Sequence, residues 1–185
     1  EICTFYLPVA RATKQHGSPD WELGRGTETI ADAPEFAPVF EKYRGLLEQL
    51  SVPVGATSER LDALSASCRS KETNIGNFIA EANRGSVGAD VGFVNGGSIR
   101  ADLTYEPGPL TKRDVLSLLP FNNPIVKVEV TGKVLKAILE HSVARSAPGE
   151  DSEPGRFPQL SGLRFEYDVK RPAGSRVVSV TVGGG

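Results

Sequence analysis

The amino-acid sequence predicts a mixed α/β (α+β) fold, with helices packed on a mixed sheet. Three observations lead there. Apolar residues recur at steps of three and four within 34–50, 73–82 and 131–143. Short runs of alternating character occupy 125–130, 163–169 and 176–182. Turn-forming clusters such as Asn123-Pro124 and Pro172-Ala173-Gly174-Ser175 separate these elements.

Residues 1–33 read as a trailing strand and loops, because Pro8, Gly17-Ser18-Pro19-Asp20 and Gly24-Arg25-Gly26 interrupt any long element. The helix over 34–50 carries Phe36, Val39, Phe40, Tyr43, Leu46, Leu47 and Leu50 on one stripe. Asp32 is positioned to cap it, Pro34 is tolerated in its first turn, and Pro38 can delay its start. A strand follows over 52–58. The second helix, 73–82, has Ile75, Phe78, Ile79 and Ala82 as its apolar stripe. A buried strand over 90–95 then runs into Asn95-Gly96-Gly97-Ser98-Ile99-Arg100. Thr111-Lys112-Arg113-Asp114 has the form of a capping box ahead of Val115, Leu116, Leu118 and Leu119. Asn123-Pro124 breaks the chain before the strand at 125–130. Thr131 caps a third clear helix through Val134, Leu135, Ile138, Leu139 and Val143. A polar, flexible loop covers 147–155, and 163–169 joins 176–182 as a hairpin.

The chain has 185 residues, 39% hydrophobic and 24% charged, with a formal net charge of −2. That is enough for one full domain with a core, or one domain plus part of another. The near-neutral balance and lack of a basic stripe argue against a general nucleic-acid or membrane-surface binder. No apolar run approaches the roughly 18 residues of a spanning helix. The sequence begins at Glu1 without a signal-peptide pattern, and it contains no methionine. It is therefore expected to be a processed chain or a piece of one, and its closing Gly183-Gly184-Gly185 is expected to lead onward. Cys3 and Cys68 fit either one disulfide or two free thiols, and spacing does not decide between them.

Catalytic machinery is not legible. The two histidines, His16 and His141, read as surface residues, and no Asp-x-His, His-Glu-x-x-His or Gly-Asn-His sequence occurs. Gly-x-Ser-x-Gly and P-loop patterns are also missing. The residues suit binding instead. The glycine turn is expected to let backbone N–H groups approach an anion closely, with Gly97 among them. Arg69, ahead of the second helix, and Arg100, beyond the glycine turn, can clamp a phosphate, each charge-assisted pair contributing roughly 1.5–3 kcal/mol. Phe121, flanked by Pro120 and Asn122-Asn123, is placed to stack on a base, and Asn123 to hydrogen-bond the ring edge.

Five segments, in order, resemble the C-terminal, substrate-binding domain of the 5'-nucleotidase family, which includes UDP-sugar hydrolases and ecto-5'-nucleotidases. They are Cys68-Arg69-Ser70-Lys71-Glu72-Thr73-Asn74-Ile75-Gly76-Asn77, Gly88-Ala89-Asp90-Val91 leading into Asn95-Gly96-Gly97-Ser98-Ile99-Arg100, Leu119-Pro120-Phe121-Asn122-Asn123, Val128-Glu129-Val130-Thr131-Gly132, and Gly155-Arg156-Phe157-Pro158-Gln159-Leu160-Ser161-Gly162-Leu163-Arg164-Phe165. The resemblance spans about 31–182.

The resemblance implies a layered α/β/β/α sandwich, incomplete at its C-terminal end. It implies three regions: 1–33 as the tail of a metallophosphoesterase domain or an irregular lead-in, 34–50 as a linker helix, and 51–185 as the nucleotide-binding domain. Arg69 and Arg100 become phosphate-side arginines, Asn95 a ribose or substrate contact, Phe121 one wall of a base sandwich, and Asn123 a neighbour of the base edge. The implied substrate is a nucleoside 5'-monophosphate or related nucleotide. The implied cofactors are two divalent metals, zinc or manganese type, in an N-terminal domain that rotates against this one. The implied location is extracellular, periplasmic or cell-surface. Departures are also visible. The family's second stacking aromatic comes from a Gly-Gly-Asp-Gly-type segment that this sequence lacks. Ser98 stands where many members have glycine, and Asn122 where some do. A second reading is a non-catalytic extracellular nucleotide-binding or interaction module with the same fold.

Overall fold

The computed structural model describes residues 9–12, 21–24, 34–146 and 155–183. Cys3, His16, Asp32 and the loop 147–154 lie outside the described residues. The chain divides into two units, Glu1–Leu50 and Ser51–Gly185. In the first, β1 (Val9–Ala12) pairs antiparallel with β2 (Trp21–Gly24), and a 3-10 turn, Pro34–Phe36, leads into α1 (Ala37–Leu50). The helix expected over 34–50 is present, and its apolar stripe is solvent-exposed at Val39, Phe40, Tyr43 and Leu46.

The second unit contains β3 (Pro53–Thr57), β4 (Leu61–Asp62), α2 (Ser65–Ser70), α3 (Asn74–Val87), β5 (Gly92–Asn95), β6 (Thr104–Tyr105), β7 (Gly108–Thr111) and α4 (Lys112–Leu118). It continues through α5 (Gly132–Ser142), β8 (Pro158–Ser161), β9 (Leu163–Tyr167) and β10 (Val177–Val182). Local chemistry sets the helix starts. Thr73, Thr111 and Thr131 each take an extended backbone at the N-cap, and their hydroxyls accept the N–H of Gly76, Asp114 and Val134. Each cap contributes about 1 kcal/mol. Asp114 completes the capping box by accepting the Thr111 N–H at 2.7 Å. Helix α3 runs beyond its expected end at 82, until Gly88 turns left-handed at φ 57°.

Strand pairing departs from expectation. Among the described residues all pairs are antiparallel: β3 with β7, β4 with β6, β5 with β8 and β9 with β10. The expected mixed sheet is thus replaced by antiparallel ladders, because alternation along one strand fixes its faces and not the direction of its partner. The strand expected at 125–130 does not form. Val126 and Val128 are 73% and 69% exposed, and the segment joins no ladder among the described residues. A period of two makes a segment compatible with a sheet, but only a partner strand makes it part of one. Lys127 from this segment instead donates to the Val87 and Gly88 carbonyls, at 3.2 and 2.7 Å, at the C-terminus of α3.

Two apolar clusters hold the unit together. One gathers Cys68, Ile75, Ile79, Val94, Ile99 and Leu118 from α2, α3, β5 and α4. The other gathers Leu139, Val143, Phe157, Leu163 and Val177 from α5, β9, β10 and the residues flanking α5 and β8. Cys68 is a free, wholly buried thiol. Burial pushes its pKa up, against the opposing pull of its hydrogen bond with Thr73.

Glu81 ties α3 to β8. Its carboxylate accepts two 2.8 Å bonds from Arg84 and one from the Ser161 hydroxyl. These bonds, Arg84's first, hold its pKa down to about 2 from an ordinary 4.5. The folded protein keeps Glu81 ionised to lower pH than the unfolded chain does. The resulting stability is fully present above about 4.5 and is lost as pH falls towards about 2. Glu81→Gln is expected to flatten the fall in Tm across that window. Parallel wild-type and variant curves would remove this role.

Candidate substrate-binding site

Strand β5 delivers Asn95 into the 3-10 turn Gly96–Ser98, after which Ile99 is fully buried and Arg100 returns to the surface. The Arg100 N–H donates to the Leu118 carbonyl at 3.0 Å. Leu118 is itself buried at the end of α4, so the backbone beneath the guanidinium is fixed. The chain leaving α4 carries Phe121 to the same place. The Arg100 Cζ lies 5.8 Å from the Phe121 ring centroid, and Phe121 is 51% exposed. An exposed aromatic kept next to a cation has one face in contact with charge and surface left for a ligand. Beside it opens a cleft of about 190 Å³, lined by Asn83, Phe93, Ser98, Leu119, Phe121 and Asn123. The Asn123 N–H donates to the Phe121 carbonyl, which folds this loop onto itself.

Arg69 occupies the last turn of α2, and its Nε is enclosed with no hydrogen-bond partner. The backbone around it abuts the glycine turn. A Cβ added at Gly96 would overlap the Cys68 carbonyl oxygen and stand 3.2 Å from the Arg69 Cα. The turn thus packs on the backbone at the end of α2 and leads into Arg100, which lies against Phe121.

One expectation about the turn is corrected. The N–H groups of Gly96 and Gly97 do not face an anion. They donate instead to the Phe157 and Gly155 carbonyls, at 2.7 and 2.9 Å. Glycine is required here by close packing: a Cβ at Gly97 would stand 2.8 Å from the Gly155 Cα. The Asn95 side chain also serves the turn, its Nδ2 donating to the Gly155 carbonyl at 3.0 Å and its Oδ1 accepting from Ser98 at 2.7 Å.

Sequence reasoning missed Gln159. This residue is wholly buried on β8, and its amide binds the backbone on both sides of Arg69. No local signal in Phe157-Pro158-Gln159-Leu160 announces that role. His141 is exposed near the end of α5. Among the described residues, no group of three or more His, Cys, Asp or Glu side chains could hold a metal ion.

Comparison with known proteins identifies the family. The family model described as 5'-nucleotidase, C-terminal domain, matches residues 53–185. A trifunctional nucleotide phosphoesterase protein, YfkN, from Bacillus subtilis is 32% identical over 160 residues, covering 84% of this chain and 10% of the relative. The Homo sapiens 5'-nucleotidase is 32% identical over 166 residues, covering 83% of this chain and 28% of its own length. The crystal structure of a 5'-nucleotidase precursor from Thermus thermophilus superposes with a TM-score of 0.69 at 33% identity, covering 78% of this chain and 28% of that one. The chain spans less than a third of these relatives. It belongs to the 5'-nucleotidase family, as a carrier of that family's C-terminal domain.

Proposed function

We propose that this chain is the nucleotide-gripping part of a 5'-nucleotidase-type phosphoric monoester hydrolase. The observation that carries the reading is the Arg100 guanidinium held 5.8 Å from the exposed ring of Phe121, which lines a cleft. A cation and a flat apolar face side by side match the two chemistries of a nucleoside 5'-monophosphate, its phosphate and its base. Arg69 joins the phosphate side, and Asn123 the base edge. Their work is orientation: part of the binding free energy goes to holding the phosphate where it will react.

In this reading residues 1–33 are a lead-in from a metallophosphoesterase domain, 34–50 form a linker helix, and 51–185 hold the substrate. Two divalent metals of zinc or manganese type would sit in that N-terminal domain and activate the attacking water. The remaining C-terminal segment would supply the opposite wall of the base sandwich. The proposed setting is extracellular, periplasmic or at the cell surface. No described helix is long and apolar enough to cross a membrane.

The pure chain is expected to bind AMP weakly, with nuclear magnetic resonance shifts at the Phe121 ring and the Arg100 guanidinium. It is expected to release no phosphate from AMP, with or without added zinc or manganese. Unmoved resonances would overturn the binding site, and metal-dependent phosphate release by the chain alone would overturn the division of labour.

A further inference from the structure

We propose that Gln159 is a positioning residue for the phosphate grip, holding the Arg69 backbone against the turn that carries Arg100. The proposal rests on reading Arg69 as a phosphate-side arginine. Gln159 has no exposed surface and pairs in register with Val94 of β5. Its Nε2 donates to the Cys68 carbonyl at 2.9 Å and the Lys71 carbonyl at 2.8 Å. Its Oε1 accepts the Thr73 N–H at 3.0 Å and the Thr73 hydroxyl at 3.4 Å. Both donors and both acceptor sites of the amide are therefore used. The three residues they reach bracket Arg69 from the position before it to the N-cap of α3.

The residue that leads into the same strand grips the turn before Arg100. The Phe157 carbonyl, two residues earlier, accepts the Gly96 N–H at 2.7 Å. One short segment thus fixes both the end of α2 that carries Arg69, through a side chain, and the turn before Arg100, through its backbone. Helix α3 makes room for this: a Cβ at Gly76 would overlap the Gln159 amide. The Arg69 Nε has no hydrogen-bond partner of its own. The backbone on either side of it, which Gln159 binds, is the anchor from which its side chain extends. A fully satisfied buried amide is well suited to that task, because in low dielectric each bond is strong and directional.

The test uses the full-length protein and a nucleoside 5'-monophosphate. Gln159→Met keeps the length and removes the hydrogen bonds. Gln159→Asn keeps the amide but withdraws it by one carbon, and serves if the first variant does not fold. Either is expected to raise KM roughly tenfold with kcat within about twofold, since misplacement of a binding group weakens substrate capture. The effect should vanish in an Arg69→Ala background. Leu139→Ala, in the other apolar cluster, should lower Tm and leave KM unchanged, which separates positioning from general loss of stability. If Arg69→Ala raises KM while the Gln159 variants do not, the positioning role is overturned. If Arg69→Ala leaves KM unchanged, the phosphate-grip reading fails and takes the proposal with it.

Discussion

Gly96→Ala is expected to lower the stability of the Ser51–Gly185 unit by about 3–5 kcal/mol, from strain plus weakened buried hydrogen bonds. The added methyl would overlap the Cys68 carbonyl oxygen, and a backbone atom cannot swing aside as a side chain can. Either the end of α2 or the turn after β5 must move. Strain of this kind typically costs about 1–3 kcal/mol. Movement of the turn would also weaken the bonds from the Gly96 and Gly97 N–H groups to the Phe157 and Gly155 carbonyls, at about 1 kcal/mol each. For a domain of this size the sum corresponds to a fall in Tm of roughly 10–20 °C. Gly85→Ala provides the contrast. Gly85 lies inside α3, and a Cβ there would meet nothing within 4 Å. That substitution is expected to stabilise by about 0.5–1 kcal/mol through helix propensity. Thermal unfolding of the two variants measures both. Equal Tm values would mean that Gly96 is not a packing position and that the α2 end is not seated on the turn.

The same contrast explains how much of this molecule can be read from its sequence. Helix starts at Thr73, Thr111 and Thr131 are legible because each cap bonds an N–H only three residues on. Helix α2 is not, because its cap comes from elsewhere: Leu64 offers no side-chain bond, and the Ser65 N–H is taken by the Asp102 carboxylate at 2.8 Å, 37 residues away. Asp102 adopts φ 52°, a local conformation that its sequence neighbours do not announce. The Asn95 to Arg100 turn stands out in the sequence, but for an incomplete reason. Two adjacent glycines mark a place where something comes close, and the sequence cannot say whether it is a ligand or the protein's own backbone. Here it is the Cys68 and Gly155 backbone. Arg100 and Phe121 stand out separately, and their convergence depends on the Arg100 N–H reaching Leu118 across α4. Gln159 lies beyond reach, since its partners at Cys68, Lys71 and Thr73 are 86 to 91 residues away.

Arg100→Ala and Phe121→Ala are expected to weaken nucleotide capture by the full-length enzyme in different ways, and the difference identifies what each side chain grips. Losing a charge-assisted contact to phosphate costs about 1.5–3 kcal/mol, so Arg100→Ala should raise KM for a nucleoside 5'-monophosphate roughly 10- to 150-fold. Inhibition by the corresponding nucleoside, which has no phosphate, should change by no more than about fivefold, the scale of the exposed cation–π contact alone. Losing the aromatic face costs about 1–3 kcal/mol per stacked base, so Phe121→Ala should raise KM roughly 5- to 150-fold and weaken nucleoside inhibition to the same degree. Folding does not confound the comparison. Both side chains are exposed, and substitutions there usually move stability by no more than about 0.5 kcal/mol. The two effects should not simply add, because Arg100 lies over the ring that Phe121→Ala removes. A double-mutant cycle should return a coupling of about 0.5–1 kcal/mol, the range of an exposed cation–π pair. The decisive comparison is nucleoside against nucleotide in the Arg100→Ala enzyme. If both lose affinity equally, Arg100 supports the base-binding loop and does not bind phosphate. If neither changes, the cleft beside Phe121 is not where substrate binds.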